Sequence, residues 1–270
     1  MAHAAVAFLF LDECAYDALD LSALTGVLVP ADHYSAVRDA LCRLVWEVNP
    51  STMDSSGSMI LPSPIELHGS KLLPEGSDQE RLAVFSAVVS IVNENSLHIF
   101  RVCYLNHKEI AAIMSADQNL YGLNFFGMQR SLQEIMSDTL VVPVMDGIPD
   151  SSSTKKAPPI NPQLIRSFAG NVRWLHHHRH SDIAESLTIQ HAHNLGEPVF
   201  TDSTHSTLAQ FADIVSYLLL QIDRSELETD KPPSAFRAEV IARAQGFNKE
   251  LLHCWRDRMK IGSSPSAPAS

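Results

Sequence analysis

The chain has 270 residues, enough to bury a sizeable core as one α/β domain with long insertions or as two smaller units. Its 31 acidic residues outweigh 20 Lys and Arg for a formal charge of −11, which excludes broad electrostatic capture of nucleic acid while leaving room for a local basic groove. The four cysteines, Cys14, Cys42, Cys103 and Cys254, form no Cys-x-x-Cys pair, so they read as free thiols of a reducing cytoplasm rather than a disulfide framework or a zinc site.

The N-terminal apolar run Ala7-Phe8-Leu9-Phe10-Leu11 stops on Asp12 and Glu13, too early to cross a bilayer, and a cytoplasmic, non-membrane protein is expected. A continuous run of this kind predicts a buried strand that delivers Asp12 to the end of a sheet. If the strand persists, Glu13 points to the opposite face. Leu24 to Val29 predicts a second strand, antiparallel to the first across a short turn. Tyr34, Val37, Leu41, Leu44 and Val45 recur at helical spacing, predicting a helix over 32–47. A Ser/Gly/Pro-rich excursion follows, with Met59-Ile60-Leu61 as a short strand. Glu66 and His68, two apart, would share a face in extended chain. Ser77-Asp78-Gln79-Glu80 has the form of a capping box ahead of an amphipathic helix, and residues 97–105 read as a strand. An amphipathic helix is expected over 118–138, with Phe125, Met128, Leu132, Ile135 and Met136 inward. It feeds a strand, Val141 to Met145, that ends on Asp146.

Residues 150–159 are too polar and proline-rich to pack, which predicts a mobile loop. A helix over 162–175 ends in His176-His177-His178-Arg179-His180; adjacent histidines on a helix end diverge, so these read as a solvated C-terminus rather than a metal site. Arg173, Arg179, Lys155 and Lys156 are candidates for a local basic strip. Leu187-Thr188-Ile189 and Pro198-Val199-Phe200 look like short strands. The best-defined helix carries Leu208, Phe211, Ala212, Val215, Leu218, Leu219 and Ile222 as a stripe, with Asp213 at its border, Gln210 and Tyr217 one turn to either side, and Asp202 and Ser203 as candidate caps. A last helix is expected from Pro232 to Arg258 and a disordered tail over 261–270.

Three carboxylates, Asp12, Asp146 and Asp213, on two strand ends and a helix start are a donor set for Mg²⁺ or Mn²⁺, hard ions that take oxygen ligands. Asp12-Glu13, Glu66-Leu67-His68, Asp146, and Asp202-Ser203 before Gln210-Phe211-Ala212-Asp213-Ile214-Val215-Ser216-Tyr217 occur in that order. In this the chain resembles the family called domain of unknown function 3800, over roughly residues 6–222. Similar members continue the first motif as Asp-Glu-Ser-Gly, where this chain has Asp12-Glu13-Cys14-Ala15. The resemblance implies a ribonuclease H-like α/β fold, a five-stranded mixed central sheet flanked by helices, taken over 1–225; the last helix read from the residues makes 226–260 a C-terminal helical extension. The resemblance also implies that Asp12, Asp146 and Asp213 meet, with Glu13, Glu66 or His68 nearby. The expectation is a divalent-metal-dependent nuclease acting on DNA or RNA, with Asp12, Asp146, Asp213 and Glu13 as metal ligands and His68 or Glu66 serving proton transfer. The alternative is an inactive domain of the same fold that binds a protein partner or a second copy of itself. Nothing resembling Gly-x-Ser-x-Gly or a Cys/His nucleophile pair favours a small-molecule hydrolase.

Overall fold

The computed structural model describes residues 5–48, 52–53, 59–60, 67–73, 76–113, 120–146, 196, 199–201, 206–230 and 232–257. Strand β1 (Ala5–Tyr16) turns through a 3-10 segment into β2 (Leu21–Pro30), and the two pair antiparallel as their apolar runs predict. Helix α1 (Tyr34–Val48) follows, then a two-stranded ribbon of β3 (Thr52–Met53) and β4 (Met59–Ile60). Helix α2 (Asp78–Glu94) begins at the expected capping box: Ser77 Oγ accepts from Glu80 N while Ser77 N donates to Glu80 Oε2 at 2.7 Å.

Strand β5 (His98–Tyr104), a short helix α3 (His107–Ile113) absent from the sequence reading, α4 (Leu120–Ile135) and β6 (Thr139–Asp146) complete the first half. After them come β7 (Val199–Thr201), the long helix α5 (Thr207–Leu227), α6 (Ala235–Ala244) and β8 (Leu252–Asp257). Ser206 caps α5 by accepting from Ala209 N; Asp202 and Ser203, expected in that role, lie outside the described residues. So do Glu66, Lys155, Lys156, Arg173, the His176 to His180 run and the tail over 261–270.

The central sheet has six strands in the order β7-β6-β1-β2-β5-β8, one more than the five the family likeness implies. Only β2 runs against its neighbours, which makes the sheet mixed. The sixth strand corrects the expected last helix. Helix α6 stops at Ala244, where Gly246 N and Phe247 N turn back onto the carbonyls of Arg243 and Ala244. Asn93 then fixes the turn, donating to Gly246 O and accepting from Asn248 N, and residues 252–257 pair parallel to β5. The C-terminal extension is therefore only partly helical and adds a strand to the same sheet. Trp255 lies on this edge, 41% exposed and edge-on to Tyr104.

Both faces of the sheet are covered, which is why β2 is buried at nearly every position. On one face Phe10, Val27, Ile99 and Val144 pack with α1, α2, α5 and α6; on the other Leu9, Leu11, Leu24, Phe100, Val102 and Met145 pack with Phe125, Met128 and Leu132 of α4. Alternation along each strand thus assigns Asp12, two residues beyond Phe10, to the α5 face, and Glu13 to the α4 face.

Candidate active site

Asp12 is not at a strand end. Strand β1 continues regularly for four more residues, with Asp12 opposite Thr25, Cys14 opposite Ala23 and Ala15 opposite Ser22, so Cys14-Ala15 in place of Ser-Gly leaves the backbone extended. The acid is consequently carried mid-strand, under α5, and burial is the chief cause that raises its ionisation well above the ordinary carboxylate value; the charge of Asp213 is the next, and that of Glu13 follows. The Ser216 hydroxyl and the Arg101 charge pull the other way.

Asp213 sits in the second turn of α5, and its Oδ2 accepts from Gly69 N at 2.8 Å and lies 2.7 Å from His68 Nδ1. One turn earlier Gln210 Oε1 accepts from Leu67 N at 3.1 Å. Gln210, Asp213 and Tyr217, spaced i, i+3 and i+7, thus share one helix face, and that face holds the 67–69 segment. Gly69 is obligatory in this docking: a Cβ there would stand 2.4 Å from Tyr217 Cβ and 3.2 Å from the Asp213 carbonyl oxygen. Tyr217 is in turn stacked on Phe85 of α2, ring centroids 5.6 Å apart.

Asp146 closes β6 one position past the Leu11 and Met145 pair of the parallel β1–β6 ladder, so its backbone stands beside that of Asp12; its side chain lies outside the described residues. Of the expected ligands, Asp12 and Asp213 are brought together, with His68 against Asp213. Glu13 is not. It is on the α4 face, reaching Asp12 through its field rather than through a shared ligand position. Among the described residues no three His, Cys, Asp or Glu side chains form a group that could hold a metal ion.

One charged cluster has no counterpart in the sequence reading. Thr25, Arg101 and Cys254 continue the row begun by Asp12 across β2, β5 and β8. Arg101, 3% exposed, donates to Asp223 Oδ2 from Nε at 3.1 Å and from Nη2 at 2.7 Å, and to the Thr25 hydroxyl from Nη1. Arg256 pairs with the other Asp223 oxygen and, at 2.7 Å, with Glu226. Burial opposes the Arg101 charge, but the surrounding anions outweigh it and its ionisation moves further up. The one readable sign was an arginine in an otherwise apolar central strand, Ile99-Phe100-Arg101-Val102, whose charge demands a partner.

No protein family, curated protein or solved structure matches the chain. No helix among the described residues is long and apolar enough to cross a membrane.

Proposed function

We infer that this chain is a divalent-metal-dependent phosphodiester hydrolase, a nuclease of ribonuclease H-like type related to the domain of unknown function 3800 family. The carrying observation is the approach of Asp213 to Asp12 on facing elements, close enough that its charge adds to the cost of charging Asp12, with Asp146 ending the strand beside β1. Hard oxygen donors, one of which is costly to charge without a nearby cation, suit Mg²⁺ or Mn²⁺, and Asp12, Asp146 and Asp213 would hold it. When bound, the ion supplies Lewis acidity to the phosphate and a more acidic water. The chain's own contribution is placement. The β1–β6 ladder brings the backbones of Asp12 and Asp146 to neighbouring positions, and Gly69 N–H holds Asp213. His68, 43% exposed and held at Asp213, is positioned to take or give a proton at the solvent side. The sheet supports the fold expectation: leaving aside the β3–β4 ribbon, the first five strands make a mixed sheet flanked by helices, and β8 extends it.

A second reading, an inactive domain that binds another protein, has one observation in its favour. Asp213 Oδ2 is engaged by Gly69 and His68, a structural duty that needs no cation. Cleavage assays on single- and double-stranded DNA and RNA in Mn²⁺ separate the two. The nuclease reading expects activity that Asp12→Asn and Asp146→Asn each abolish while the chain stays folded, and that His68→Ala only reduces. Equal inertness of wild type and Asp146→Asn on every substrate would leave the interaction module.

A further inference from the structure

Beside the acids lies a cavity of about 420 Å³ that none of the roles above uses, formed by Phe8, Phe10, Tyr34, Val144, Thr201 and Ser206 among others. Its floor is continuous with the acid row. Phe10 and Val144 are paired across β1 and β6, and the next positions on the same face of those strands are Asp12 and Asp146; Thr201 of the cavity is the register partner of Asp146. Phe10 and Asp12 are therefore about 7 Å apart along the strand, roughly what one ribose spans between its base and its phosphate.

We propose that this cavity seats one unstacked base of a single-stranded nucleic acid whose phosphate lies at Asp12 and Asp146. The proposal rests on the hydrolase reading and names its substrate class. The walls are chosen for a base: Phe8 and Tyr34 meet edge to face, ring centroids 5.5 Å apart at 64°, and present aromatic surface, while Thr201 and Ser35 supply hydroxyls for its polar edge. Among the described residues no charged side chain lines the cavity, so what lines it suits the uncharged part of a nucleotide and leaves the phosphate to the acids and their cation. A base locked in a duplex stack cannot enter, whereas a single strand offers its bases freely. The rim residue Val199 is 50% exposed, so the cavity opens to solvent on the β7 side.

The test is fluorescence anisotropy of the full chain with a labelled oligothymidylate, alone or annealed to its complement, in Ca²⁺, another oxygen-ligated cation. The single strand is expected to bind at least about tenfold tighter than the duplex, Tyr34→Ala to lose about tenfold, and Tyr34→Phe to stay within about twofold, since stacking needs the ring and not the hydroxyl. Val199→Asp, at an exposed position that needs no repacking, should also weaken binding by repelling phosphate, and it keeps the test decisive if Tyr34→Ala fails to fold. Equal affinity for strand and duplex, unchanged affinity in Tyr34→Ala or Val199→Asp, or no binding at all, as expected if another segment of the chain or a protein occupies the cavity, overturns the proposal. Its failure is distinct from failure of the hydrolase reading, because Mn²⁺-dependent cleavage lost in Asp146→Asn reports on the acids alone.

Discussion

Asp213 is the residue at which the proposed cation-holding role and the structural one can be separated by substitution. Its Oδ2 accepts from the part-buried Gly69 N–H and stands against His68. A hydrogen bond to a charged acceptor contributes about 1.5–3 kcal/mol and a neutral one about 0.5–1.5 kcal/mol. Asp213→Asn keeps an oxygen for Gly69, so it should cost about 1 kcal/mol at the strap, and it relieves the repulsion that Asp213 exerts on Asp12. The two effects oppose each other, and the metal-free variant should melt within a few degrees of wild type. Asp213→Ala leaves the Gly69 donor without its acceptor and should cost the full amount, lowering the melting temperature by roughly 3–12 °C at the 2–4 °C per kcal/mol expected for a chain of this size. Cation binding behaves differently. At one hundred times its dissociation constant Mn²⁺ should stabilise wild type by about 2.7 kcal/mol and both variants by nothing. Differential scanning calorimetry with and without Mn²⁺ gives all of these values. An Asp213→Asn chain that keeps the full Mn²⁺ increment would refute Asp213 as a ligand, and an Asp213→Ala chain as stable as wild type would refute the strap.

The remaining predictions concern the surroundings of the site. Asp223→Ala would leave Arg101, 3% exposed, without its carboxylate and should cost about 3–5 kcal/mol in urea unfolding; a loss under about 1 kcal/mol would show that Arg101 is neutralised another way. Gly69→Ala cannot be absorbed by a side-chain rotation, since the clashing atoms belong to the α5 backbone and Tyr217 Cβ, so residues 67–69 should lift off α5; amide hydrogen exchange at Leu67 and Gly69 should rise to unprotected rates, and retained protection would refute the docking. Asp12 keeps its proton to higher pH in the fold than its ordinary value of 3.8, so metal-free stability should fall as pH rises through that window, and Asp12→Asn should be the more stable chain at neutral pH with the gap closing towards pH 4. Glu228 acts in the opposite sense: burial disfavours its charge, but Arg224 and Arg237 outweigh burial and bring it to about 2, so the stability it contributes is present above 4.5 and is lost as pH falls, a loss that Glu228→Gln should not show.

What the sequence determined by itself is whatever depends on neighbours within a few residues. The β1–β2 hairpin, the capping box of α2, the inward stripe of α4 and the long stripe of α5 all follow from periodicity and cap chemistry, and the structure has each of them. The same local logic put Gln210, Asp213 and Tyr217 on one helix face and Glu13 opposite Asp12. Only the tertiary structure decided the rest, because the deciding partner is far along the chain. Strand β8 exists because β5 offers an unpaired edge to residues that alone fit a helix as well, and Asp12 stays mid-strand because β2 pairs with β1 as far as Tyr16. That the polar face of α5 docks the 67–69 segment depends on Gly69, which has no side chain to announce its contact. Arg101 found its countercharge 122 positions away in Asp223. A buried charge states in sequence only that a partner must exist, and the fold names it.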